Sequence, residues 1–482
     1  MKTTCITPRL LVLAAAGTLI TTALAQGPLP PPPDSSLPFA DRALDPSGAP
    51  VPSMKTLTQT DPGQPIPSRD ADLPQLTGAA GNYTIGQPGH YYLTENLTKP
   101  VIINADDVTL DLRGYLIEFQ PTVAVGPGTA IAIDGGTGAG AHRNVTVRNG
   151  HINGQWLMGV RLGTGSYVHQ LQVSGTTTYN IWCGKGSRVE TCTVRAKAPE
   201  QQPGGGASPP GFWSGIYCED NCIIRGCLAD NILAIGIQGL QNSRITDCVA
   251  TNNSGCGIVA NSSSSLSGCI ASNNGATGID VNAQVTLLNC TAKSNFNEGF
   301  HIRGGCALMN CAARENKEEG FYAERMTFAG NQNPPEPNMA VNFVQCVAQK
   351  NAFDGFHTDL DCTFTHCTAD NNGSPPLQPG QTPPPVVGTS HGFNVTDGCQ
   401  FLNCLAVANL ADGYKAGVNN RIEASTARAN GAWGIEVASD QNLVIRNFIR
   451  GNTSGPISVP AGNGVAPLTN AAGATPSSNL SF

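Results

Sequence analysis

The sequence predicts an all-β chain, a single-stranded right-handed parallel β-helix (solenoid) of about 14 coils. Three observations carry this. Cys227, Cys248, Cys269, Cys290 and Cys311 recur every 21 residues. Other slots keep step with them: after Cys248 come Ala250, Asn253 and Gly257, and the same offsets repeat in the neighbouring units. The runs in between, such as 243–250, are short and alternate apolar with polar residues. That is the period of strands, not of helices. A leucine-rich repeat of similar length needs a Leu-x-x-Leu-x-Leu frame, which is absent. The right hand follows from the usual hand of parallel β connections.

Residues 1–25 place Lys2 and Arg9 before an apolar run that ends in Ala23-Leu24-Ala25. This is the pattern of a cleaved secretory signal peptide, and the run is short for a membrane span. Residues 26–80 form a Pro-rich N-terminal extension, with Pro30 to Pro33 in succession, expected to lie as an extended strap. The β-helix domain, 81–459, should open with a cap. Gly89, Tyr91 and Tyr92 lead into the apolar runs 101–103 and 108–112, and covering the first coil protects its open edge. The Cys slot then passes through Asp111, Arg148, Leu171, Cys192, the five evenly spaced cysteines, Cys346, Cys367, Cys404, Ser425 and Arg446. Three Pro- and Gly-rich insertions, 199–211, 330–338 and 373–388, flank one strand of the repeat. Residues 460–482 read as a C-terminal tail covering the last coil.

Each slot has a mechanical reading. Cys and Ala suit a narrow interior in which larger side chains would overpack. Asn suits a bend, and its stacked amides can bond from coil to coil. Gly is expected to mark a sharp turn. The column cysteines read as buried thiols, because parallel Cβ directions give poor disulfide geometry. No metal-ligand spacing and no cofactor motif is found, so neither metal nor cofactor is expected.

Composition limits the partners. The chain has 56 Gly and 35 Pro, only 13% charged residues and a formal charge of −7. Without a Lys/Arg stripe a nucleic-acid partner is not expected. Nothing after the signal segment is apolar enough to cross a membrane. A secreted or cell-envelope monomer facing a polysaccharide or cell-surface glycan is the expected setting.

The unit Cys248-Val-Ala-Thr-Asn-Asn-Ser-Gly-Cys-Gly-Ile258 resembles the right-handed parallel β-helix proteins broadly related to pectate lyases, polygalacturonases and alginate epimerases, a pectate-lyase-like superfamily. The opening Gly89-His-Tyr-Tyr-Leu-Thr-Glu-Asn96, followed by Val108-Thr-Leu-Asp-Leu112, looks like the uncharacterised secreted bacterial members. The resemblance covers roughly 101–459 and implies the coil, not a chemistry. The calcium-binding Asp residues and catalytic Arg of pectate lyases have no counterpart here. Nor do the Asp, His and Lys set of polygalacturonases or the Asp-Pro-x-Asp stretch of alginate epimerases. No catalytic residue is carried over.

A site must be sought in the coil geometry. Two residues after each column Gly, a side chain should point outward. This column contains Tyr217, Asp280, His301, Tyr322, His357, Asn394 and Lys415, and a second one contains Glu219, Arg303, Glu324 and Asp359. The candidate catalytic residues are His301, Arg303, Glu324, His357 and Asp359. The histidines would serve as bases, Arg303 would meet a uronate carboxylate, and Glu324 with Asp359 would form a carboxylate pair for glycoside hydrolysis. The candidate substrate-binding residues are Tyr217, Glu219, Asp280, Tyr322, Asn394 and Lys415. Two functions stay open: binding an extracellular polysaccharide, with cleavage or epimerisation, or a non-catalytic cell-surface structural or protein-interaction module. A merely solvated polar face is the bland alternative.

Overall fold

In the computed structural model the described residues are 63–66, 76–77, 82–119, 131–196, 214–324, 340–359, 361–373 and 389–481. The chain divides into Met1–Asp61, outside the described residues, and Pro62–Phe482, which holds all of them. The signal segment, most of the Pro-rich extension and the three insertions (Gly373 apart) therefore lie outside the described residues.

The second unit is a right-handed parallel β-helix. One coil shows the plan. Strands Ile279–Val281, Thr286–Leu288 and Thr291–Lys293 pair in parallel with Phe300–Arg303, Ala307–Met309 and Ala312–Arg314 of the next coil. Between strands the backbone turns through the left-handed region at Gln284, Asn289 and Ser294, with φ of 63°, 54° and 56°. Short polar residues are common at such bends because they tolerate that region.

The Asn slot is not the bent residue. It follows the bend and points inward. The Asn295 side-chain amide donates to Ala271 O (3.2 Å) and to Asn316 Oδ1 (3.0 Å), and the Asn295 backbone N–H donates to the same oxygen. This ladder joins Asn253, Asn274, Asn295, Asn316, Asn351, Asn372, Asn409 and Asn430, each buried. It satisfies backbone groups that the turns would leave orphaned in the interior.

The Gly slot also has a different cause from the one expected. Gly299 is not in the left-handed region; instead a Cβ there would lie 2.6 Å from both Asn316 Nδ2 and Gly320 O. Close approach of the next coil, not backbone conformation, demands glycine. Three slots also shift. Asp111 pairs with Arg148 and Arg148 with His169, so Gly150 rather than Arg148 pairs with Leu171, and one extra residue between Val437 and Leu443 puts Asn447 rather than Arg446 in line with Ser425.

The interior is one continuous core. Its Ile slot, occupied by Ile237, Ile258 and Ile279, becomes aromatic at Phe300 and stays so through Phe321, Phe356, Phe393 and Tyr414. These rings stack face to face, with centroids 4.7–4.9 Å apart. A second stack, Phe343, Phe364 and Phe401, meets them edge-on. All the described cysteines are free thiols, and all but Cys256 are buried. Burial pushes Cys306 up to about 11, so it stays protonated.

Both ends of the unit are built from strands. Gln64–Ile66 pairs in parallel with Gly89–Leu93, and Leu76–Thr77 pairs antiparallel with Asn82–Ile85. At the other end Gly464–Val465 pairs with Leu443–Ile445, and Asn479–Ser481 pairs with Phe448–Arg450. Residues 464–481 thus continue the sheet. Among the described residues no helix is long and apolar enough to cross a membrane.

Candidate functional site

Strand register fixes one outward column coil by coil: Asp134, Arg161, Trp182, Tyr217, Gln238, Val259, Asp280, His301, Tyr322, His357, Asn394, Lys415 and Glu436. Arg303 and Glu324 sit in register beside it, on the strands that end at these residues.

Two clusters form on this face. In the first, Arg303 is clamped between carboxylates, with Nη1 2.5 Å from Asp280 Oδ1 and Nε 3.0 Å from Glu324 Oε1. His301 Nδ1 is 3.8 Å from Asp280, and its Nε2 is 3.1 Å from Glu324 Oε1. The latter contact lacks hydrogen-bond geometry, and Nε2 has no hydrogen-bond partner.

The second cluster centres on His357. The buried Asp354 carboxylate accepts the His391 backbone N–H at 2.5 Å and the Asn394 side-chain amide at 2.8 Å. It lies 3.3 Å from His357 Nδ1. Glu319 approaches the same nitrogen to 3.9 Å, and Asp359 faces His357 Nε2 at 3.8 Å. Burial by itself would lower the His357 pKa. The hydrogen bond and charge of Asp354, then Glu319 and Asp359, outweigh it and hold the imidazole above its usual value. Burial pushes the Glu319 carboxyl up to about 7, against the pull of a backbone hydrogen bond and of His357. Tyr322 stands between the clusters, its ring 5.4 Å from both His301 and His357. Burial, then Asp359 and Glu324, raise its hydroxyl pKa.

Of the residues expected from sequence, His301, Arg303, Glu324 and Asp280 meet in one cluster, and His357, Asp359 and Asn394 in the other. Glu324 and Asp359 face different partners. Lys415 neighbours Asn394 on the next strand but pairs with Glu436 at 3.4 Å. Tyr217 stacks on Trp182, six strands from His357, and Glu219 is on its coil.

Sequence reasoning missed Glu319 and Asp354, and with them Glu298, Glu318 and a second buried pair, His391 Nδ1 with Asp412 Oδ2 at 3.0 Å. The missed signal was a column: Thr277, Glu298, Glu319, Asp354, His391 and Asp412 each immediately precede a column Gly. Where sequence reasoning expected no metal ligands, these residues supply two sets able to hold a cation. They are Glu319, Asp354 and His357, and Glu298, Glu318 and Glu319, with ligand atoms within 4.8 Å of one another in each.

A family model described as right handed beta helix region matches residues 211–317. No curated protein matches the chain. Among solved structures it is similar to the Azotobacter vinelandii mannuronan C-5 epimerase AlgE4 A-module, with 16% identity over 78% of this chain and 91% of that one and a TM-score of 0.35. It is similar to the periplasmic alginate epimerase AlgG, with 11% identity over 79% of each chain and a TM-score of 0.32. For the pectate lyase Pel9A the values are 15% identity, 62% of this chain, 71% of that one and a TM-score of 0.29. The matched family model describes the same fold that the strand register shows. That fold is the right-handed parallel β-helix.

Proposed function

We propose that this is an exported protein that binds a polysaccharide along the His357 face and hydrolyses it. Export rests on the signal pattern of residues 1–25. The observation that carries the chemistry is the pair of carboxyl groups straddling the His357 ring. Glu319 has a pKa of about 7 and holds a proton near neutrality, whereas Asp359 is 40% exposed and open to water. Two carboxyl groups in different environments are the pattern of glycoside hydrolysis. Glu319 gives its proton to the leaving oxygen, and Asp359 takes one from the attacking water. Asp354 holds His357 between them as the positioning residue.

Charge narrows the substrate class. The carboxylates of both clusters outnumber their cationic partners, and Arg303 is already paired on two sides. A polyuronate would meet repulsion here, so the reading favours a neutral glycan.

The test is a screen of neutral polysaccharides and polyuronates for binding and for release of reducing ends. Glu319→Gln and Asp359→Asn are each expected to lower turnover at least about 100-fold while binding persists. Unchanged turnover in both variants overturns the assignment. The closed Arg303 clamp also fits a non-catalytic binding face; binding without turnover in the unmodified protein selects that reading.

A further inference from the structure

The same outward column that runs through His357 carries an aromatic patch near the start of the fold. Trp182 and Tyr217 occupy adjacent strands, their rings stacked at 16° with centroids 6.0 Å apart. Tyr179 leans on Tyr217 at 5.5 Å and 59°, and Met158 pairs beside it. All four side chains are half-buried on the outer surface. None is needed for the interior, which is filled here by Ile181, Cys183, Ile216 and Cys218. Of the neighbouring charges, Arg161 holds Asp134 through Nε and Nη2 at 2.8 and 2.5 Å, and the Glu219 carboxylate adds to the burial that raises the Tyr217 hydroxyl pKa.

We propose that Trp182 and Tyr217 form a second sugar-binding subsite, an aromatic contact for the apolar C–H face of a neutral pyranose. This rests on the reading of the His357 face given above. The occupant follows from the surface. Aromatic rings beside an anionic rim suit a neutral sugar ring, which is apolar on its face and hydroxylated at its edge. Continuity with the His357 column gives the direction. Seven strand steps separate Trp182 from His357, roughly 34 Å at about 4.8 Å each. Between them the column presents Gln238, whose side chain is already fixed by the Ser214 hydroxyl at 2.9 Å, and the small apolar Val259. No bulky side chain of this column stands between the aromatic pair and Asp280. The ligand is therefore a chain long enough to engage both places, anchored at the aromatic pair and worked on in its interior rather than at its end.

The experiment is affinity electrophoresis and calorimetry of the full chain with a neutral polysaccharide identified by the screen, and with oligosaccharides of increasing length cut from it. Trp182→Ala is expected to weaken polymer binding about tenfold, with the loss growing with oligosaccharide length, while Trp182→Phe retains most of the affinity. Thermal melting of each variant guards against a folding defect. Polymer affinity unchanged in Trp182→Ala, or lost equally in Trp182→Phe, overturns the subsite. Trp182-dependent self-association without glycan binding also overturns it and assigns the patch to a second copy of the chain. If Trp182→Ala weakens binding but Glu319→Gln leaves turnover intact, the subsite stands and the assignment of the His357 centre falls. An unmodified protein that binds no glycan removes both.

Discussion

Glu319 shows how one side chain couples the fold to pH. Its carboxyl titrates at about 7 in the folded chain against an ordinary value of 4.5. The native state therefore binds the proton more tightly than the unfolded state between these values, and stability falls as pH rises through that window. His357 adds in the same sense. Its raised pKa contributes stability below about 6.5, lost as pH rises through the folded value. The melting temperature should fall from pH 5 to pH 8, and Glu319→Gln should flatten the fall, gaining of order 2–3 kcal/mol at pH 8. Thermal melts of both proteins at the two pH values decide it; parallel curves contradict the claim. The His357 column was legible in the sequence because strand alternation assigns outward positions once the Gly slot is fixed. Glu319 and Asp354 were not, because they stand at the bend, where alternation no longer says which way a side chain points.

The strand-and-turn unit depends on residues that pack between coils rather than within one. Asn295 both donates to Asn316 and accepts from the backbone N–H and side-chain amide of Asn274, at 3.1 and 2.9 Å. Replacing it with Ala strands these buried donors, at a cost of roughly 3 kcal/mol. The same change at Asn463, a half-buried residue at the end of a parallel ladder, should cost clearly less. Denaturant titration compares the two, and equal losses would mean that the ladder is not the source of stability. The sequence made this column visible, and its hydrogen bonds across coils were expected. The reason for the Gly column was hidden, because a single sequence does not show that the next coil's carbonyl fills the place of the missing Cβ.

At the scale of the molecule, stability and solubility meet at the ends of the stack. Strands Gly464–Val465 and Asn479–Ser481 pair with Leu443–Ile445 and Phe448–Arg450. Deleting residues 464–481 should leave that edge open and cause association in light scattering; a deletion variant that stays monomeric at high concentration would refute it. The Asn ladder has a wider consequence. It spans 35 residues from Asn316 to Asn351 and 37 from Asn372 to Asn409, with amide bonds of 2.9 and 3.0 Å, no different from the bonds spanning 21. The interior thus counts turns and ignores how much chain each turn contains. Gene segments encoding one whole turn can be duplicated or lost with every interior partner renewed. Such an event between Trp182 and His357 would move the two places apart or together by one strand spacing, resetting the reach of the molecule without altering a residue at either end.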